Sequence, residues 1–196
     1  MLTRFWEVEN HLPKKAVDAV VGMTTAHAPD GTLGPVRAIV TECAQAVLGG
    51  GATHAIFSNR WMAGGTNLAR TMRDGTIALG VSPDRVIIPD NPEDPKVRST
   101  FREAEFALGV CRANGWKSVI VVANHIHMRR VLAAWRVVLA RSDYQVTLYW
   151  KSVGWNSYGK GISSQSRLNH PLIFLAYELF VACPASIIFG WWKFGK

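Results

Sequence analysis

Three observations predict an α/β fold: short apolar runs alternate with stretches of helical period, one central run is β-branched throughout, and polar clusters follow the runs directly. The expected architecture is a three-layer, doubly wound sheet of about five mainly parallel strands, with a C-terminal apolar helix. A chain of 196 residues is one domain with room for a proper core. Its expected division is an N-terminal extension over 1–15, the α/β domain over 16–182, and an apolar, Trp- and Lys-containing extension over 183–196.

The first strand is Ala16-Val17-Asp18-Ala19-Val20-Val21, stopped at Gly22. After the polar loop Ala28-Pro29-Asp30-Gly31, Val36, Ile39, Val40, Cys43 and Val47 recur at three- and four-residue spacing, which is one stripe of a helix, and Gly49-Gly50-Gly51 ends it. His54-Ala55-Ile56-Phe57 is the second strand; Leu68, Met72 and Leu79 mark the next helix, with Gly75 weakening its middle and Gly80 closing it. Arg85-Val86-Ile87-Ile88 is the third strand, stopped by Pro89, and the two prolines among residues 90–95 bar either regular element there. Thr100 stands three residues before Glu103, the spacing of a capping box, and Phe101, Ala104, Leu108 and Cys111 form that helix's buried stripe. Residues Ser118 to Ala123 read as a central parallel strand covered on both faces. Met128, Val131, Trp135 and Val138 or Leu139 mark another helix, and residues 145–150 the fifth strand.

Composition excludes several classes. At 48% hydrophobic and 18% charged the chain can bury enough surface to fold. Cys43, Cys111 and Cys183 are too few and too far apart for a disulfide framework or a zinc pair, and they suit a reducing compartment. The first 15 residues, with Glu7, Glu9, Lys14 and Lys15, lack the apolar stretch of a signal peptide. The expected location is therefore the cytoplasm. A net charge of +8 favours anionic partners, although no nucleic-acid motif or Lys/Arg block is present and specific nucleic-acid binding is not expected.

Residues 171–192 are almost wholly apolar, close to the length of a membrane span. Glu178 and Pro184 argue against a span, and Leu172, Leu175, Leu179 and Ala182 share one helical face that suits packing on the sheet. Peripheral membrane contact through Ile187 to Trp192, with Lys193 and Lys196, stays open as an alternative.

Ligands of open α/β sheets bind beyond the carboxyl ends of the strands. The segments expected there are Thr24-Thr25, Ser58-Asn59-Arg60, residues 90–100 and Asn124 to Arg130, which concentrate hydroxyls, amides, imidazoles and guanidiniums on one edge. With helix N-termini beside them, they suit a phosphate or carboxylate. His125 and His127 face one way if the backbone is extended and diverge if the helix has begun. A metal would need a third ligand such as Asp90 or Asp94 at no known spacing, and no metal is expected. Arg129 and Arg130 lie about 100° apart on a helix, so one faces the site and the other solvent. Ser58 lacks the flanking glycines of a nucleophile elbow. No dinucleotide or P-loop fingerprint occurs, and the sequence names no cofactor.

In order along the chain, Asp18-Ala19-Val20-Val21-Gly22, Asp30-Gly31-Thr32, Ile56-Phe57-Ser58, residues 78–87, Ser99-Thr100 with Glu103-Ala104, and Val121 to Asn124 leading to His127-Met128-Arg129-Arg130 resemble the YdcF-like family, which includes envelope-associated SanA-like and ElyC-like proteins. The resemblance spans roughly residues 16–150, most of the domain. It implies a Rossmann-like fold with a polar pocket at the strand ends, and it carries over Ser58, Ser99, Thr100, His127 and Arg130, favouring Arg130 over Arg129. It departs at Gly22-Met23-Thr24 and Ser58-Asn59-Arg60, where the family has glycine-rich turns, and at Leu68, where the family has an acidic residue. The expected function is the binding of a small phosphate- or nucleotide-like anion by Thr24, Ser58, Asn59, Ser99, Thr100, Asn124 and Arg130, with His127 as acid or base in hydrolysis or transfer tied to envelope biogenesis. The alternative is a noncatalytic scaffold at the membrane face, motivated by those departures and the Trp/Lys tail.

Overall fold

The structure, a computed structural model, describes residues 8–23, 33, 36–58, 62–63, 66–89, 99–154, 176 and 179–180. Seven strands are present among them: β1 (Val17–Gly22), β2 (Ala52–Phe57), β3 (Met62–Ala63), β4 (Thr66–Asn67), β5 (Val86–Ile87), β6 (Ser118–Asn124) and β7 (Thr147–Val153). Four α-helices join them: α1 (Arg37–Leu48), α2 (Leu68–Ala78), α3 (Thr100–Asn114) and α4 (His125–Arg141). Five strands form one all-parallel sheet in the order β5-β2-β1-β6-β7, and β3 and β4 pair as a separate antiparallel ribbon. This is the α/β, Rossmann-like three-layer arrangement.

Each central strand feeds two cores. Val20, Ala55, Phe57, Ile120 and Val122 pack with Ile39, Val40, Cys43, Val47 and Met72 of α1 and α2. Their neighbours Ala19, Val21, Ile56, Val119, Val121 and Ala123 pack with Ala104, Leu108, Cys111, Met128, Val131 and Trp135 of α3 and α4. Alternate residues of a strand point to opposite faces, so a strand between two helical layers must be apolar at consecutive positions. Trp135 is fully buried, and its indole Nε1 donates to Met23 Sδ at 3.1 Å just beyond β1. At Gly22 a Cβ would come within 2.6 Å of the Phe57 ring and 3.1 Å of Ile39, so close strand–helix approach leaves room only for glycine there.

Several expected details change. Ser99, not Thr100, is the N-cap of α3: its Oγ accepts from Arg102 N–H at 3.3 Å, and Thr100 is the first helical residue. The Thr100–Glu103 capping box therefore does not form, because the chain is already helical at Thr100. Leu79 is 47% exposed rather than part of the α2 stripe, because it lies at the C-cap where the helical phase ends. The third strand shortens to Val86–Ile87, because Pro83–Arg85 form a 3-10 turn. Arg85 instead donates to the carbonyls of Thr53 at 2.6 Å and Ala52 at 3.2 Å. The last strand runs three residues past Trp150, to Val153.

At the amino ends of the strands Asp18 ties β1 to β6. Its Oδ2 accepts from Lys117 N–H at 2.8 Å, Ser118 N–H at 2.9 Å and Ser118 Oγ at 2.8 Å. Burial alone would raise its carboxyl, but these bonds outweigh it and hold the group below its ordinary value. At the β7 edge, residues 8–11 lie alongside the strand. His11 and Trp150 exchange two backbone hydrogen bonds of 3.0 Å, Asn10 Oδ1 accepts from Ser152 N–H at 2.7 Å, and Trp150 Nε1 donates to Glu9 O at 2.7 Å. Of the expected C-terminal helix only Ala176, Leu179 and Phe180 are described, and the expectation otherwise lies outside the described residues.

Candidate functional site

Strand order reverses direction at β1, which lies between β2 and β6. The helix after β1 covers one face and the helix after β6 the other, which opens a crevice beyond the carboxyl ends of these two strands. α3 and α4 both begin at that edge.

Asn124 ends β6 and caps α4, its Oδ1 accepting from Ile126 N–H at 2.9 Å. An amide that can accept a backbone N–H while still extended is what an N-cap requires. The helix has thus begun at His125, and the two histidines sit about 200° apart on it. His125 turns to β7, where its Nδ1 donates to the Val153 carbonyl at 3.3 Å. His127 is 1% exposed, and its Nδ1 accepts from Arg130 Nε at 3.2 Å. Arg130 is half-buried and Arg129 exposed.

The Arg130 bond sets the state of His127. A guanidinium only donates, so Nδ1 must be the acceptor and the imidazole proton must sit on Nε2. In this state His127 is a neutral hydrogen-bond donor. A neutral imidazole gives up that last proton far too reluctantly to act as a general acid, so proton transfer would first require the Arg130 bond to open.

Ser58 follows β2 and is fully buried. Ile56 belongs to the α3/α4 core and Phe57 to the α1/α2 core, so the alternation returns Ser58 to the face of α3 and α4. Glu103, 3% exposed, reaches the same face from the first turn of α3, in line with Thr100, Ala104 and Ala107. Burial pushes its carboxyl up to about 8, although the positive charge of Arg130 pulls the other way. Ser58 Oγ, Glu103 Oε2 and Asn124 Nδ2 are buried with no hydrogen-bond partner among the described residues. Orphaned buried polar atoms are rare and costly, and three at one end of a sheet mark a place where a ligand or water completes the bonding.

Among the expected residues, Ser58, Thr100, Asn124, His127 and Arg130 thus stand at one edge, and Ser99 is there as an exposed helix cap. Thr24 and Asn59 lie outside the described residues. Ser58 has no base within hydrogen-bond reach among the described residues, so nothing there activates it as a nucleophile. No group of three metal-ligating side chains occurs among the described residues. A groove of about 380 Å³ between α3 and α4, lined by Leu108, Gly109, Val137 and Val138, contains none of these polar groups.

Sequence reasoning missed Glu103 as a site residue because the Thr100 spacing gave it a capping role. The signal was its place in the buried stripe of α3, at i−4 from Ala107 and i−8 from Cys111. Compared with protein-family models, with curated proteins and with solved structures, the chain matches none.

Proposed function

We propose that the β1/β6 crevice binds a small phosphate-type oxyanion, such as the phosphate of a nucleotide or sugar phosphate. The observation that carries this reading is the pair of buried groups without a hydrogen-bond partner among the described residues, Ser58 Oγ and Asn124 Nδ2, at the edge where Arg130 donates to His127. A donor-rich, positively charged edge with helix N-termini opening on it suits an acceptor-only ligand. Resemblance of the motifs at Ser58, Ser99-Thr100 and His127 to Arg130 to the YdcF-like family supports the same ligand class and extends it to an envelope-precursor phosphate. Binding is the primary activity in this reading; hydrolysis or transfer would require His127 to exchange its Arg130 contact for a proton.

Calorimetric titration with inorganic phosphate, nucleoside monophosphates and sugar phosphates tests the proposal. Arg130→Ala is expected to weaken the bound class by about 10- to 100-fold, the worth of a hydrogen bond to a charged group. His127→Ala is expected to weaken it less, through loss of one donor. An Arg130→Ala protein that binds every one of these anions as well as the parent overturns it.

A further inference from the structure

The site contains a group of the wrong sign for an anion. Glu103 is buried in the first turn of α3, and its Oε2 has no partner among the described residues. The charge of Arg130 acts on it across the α3–α4 interface. An ionised Glu103 and an arriving anion would thus both draw on the charge of Arg130. We infer that Glu103 is the proton-linked specificity residue of this site, and that an oxyanion binds at Arg130 together with one proton on the Glu103 carboxyl. The inference rests on the anion-site reading above.

The balance is simple. With Glu103 ionised, an incoming anion meets a like charge that itself interacts with Arg130. With Glu103 protonated, that repulsion is removed and the carboxyl O–H becomes one more donor to the ligand oxygens. No bond other than O–H forms, and the proton comes from solvent. Cys111 on α3, a thiol that burial pushes up to about 12 and keeps neutral, and Tyr144 belong to the same core, and His127 and Arg130 stand on α4. The strand residues beneath, Met23, Ile56 and Ser58, carry no charge. Arg102 and Glu105 pair with each other at 2.7 Å, and both side chains are partly solvent-exposed.

The sign follows from linkage. Burial already favours the protonated form up to a pH of about 8, and a bound anion favours it further. Affinity for a ligand whose own charge does not change is then level below that pH and falls by about tenfold per pH unit above it.

Sulfate, a dianion throughout, is the probe, titrated by calorimetry from pH 6 to pH 9.5 against the full chain and against Glu103→Gln, with circular dichroism to verify folding. The expected result is the falling limb in the parent and a level affinity in Glu103→Gln, which stays neutral while keeping His127 and Arg130. A parent affinity that is level to pH 9.5, a variant that keeps the falling limb, or a folded variant that no longer binds sulfate each overturns the inference and leaves the anion site standing. Sulfate, inorganic phosphate and nucleotides all failing to bind either protein overturns the anion site itself. Should Glu103→Gln not fold, proton uptake by the parent at pH 8.5, measured from the heat in buffers of different ionisation enthalpy, decides it: roughly three quarters of a proton per sulfate supports the inference and none overturns it.

Discussion

Two carboxylates show how environment assigns opposite roles to similar side chains. Asp18 accepts three hydrogen bonds from Lys117 and Ser118 and is held ionised, so it acts as a fixed link between β1 and β6 at the amino edge. Glu103 has no such donors on Oε2, and burial favours its neutral form at the carboxyl edge. Asp18→Ala leaves the Lys117 and Ser118 amides without their acceptor and is expected to lower stability by about 1–3 kcal/mol, read by urea denaturation. Because the folded-state value of Asp18 is depressed, its contribution is present above the ordinary carboxylate range and is lost as pH falls below it. Glu103 runs the other way: because its folded-state value is raised, its contribution to stability is fully present below about 4.5 and is lost as pH rises through about 8. Asp18 was visible in the sequence as an isolated acid in an apolar strand. Its purpose was not, since its partners are about a hundred residues away along the chain.

At the scale of elements, helix starts decide the geometry of the site. Asn124 capping α4 turns His127 and Arg130 onto one face and sends His125 to β7. Ser99 capping α3 releases Thr100 and Glu103 to point inward. Ser99→Ala is expected to cost about 1 kcal/mol in stability, whereas Thr100→Ala removes no cap and should leave thermal unfolding less affected. Equal losses in the two melts, or a larger loss for Thr100→Ala, would count against Ser99 as the cap. A shift of the cap by one residue rotates every later side chain by about 100°, which is why a sequence that reveals a helix can still misplace its inward groups. The α4 helix was legible to the residue at its Met128, Val131 and Trp135 stripe, because periodicity survives an error at the end; the divergence of His125 from His127 was not.

For the whole molecule, the sheet order places two helical layers around five parallel strands and leaves β5 and β7 as edges. Residues 8–11 cover part of the β7 edge, where His11 also stacks on Tyr149 with ring centroids 5.3 Å apart. Lys151 of β7 pairs with Glu42 of α1, which ties the same strand to that helix. Removal of residues 1–12 takes away these edge bonds and is expected to lower Tm by several degrees and raise light scattering, since an uncovered parallel edge offers free backbone donors and acceptors to another chain. An unchanged melt and monodisperse scattering would show that the edge needs no cover. Nothing in the composition of residues 1–15 pointed to this contact; it depends on where β7 lies in the sheet.

Apolar periodicity and its punctuation by Gly and Pro by themselves determined the α/β class, the helices, the strands and the edge on which polar residues gather. They could do so because burial on one face of a helix or both faces of a strand imposes a local pattern on neighbouring residues. The tertiary structure alone decided that Arg130 holds His127 in one tautomer, that Asp18 joins β1 to β6, and that Glu103 lies buried within reach of the Arg130 charge. Each of these depends on the packing or register of elements distant in sequence, or on the helical phase fixed by a cap, and long-range electrostatics and hydrogen bonding leave no periodic trace in the chain.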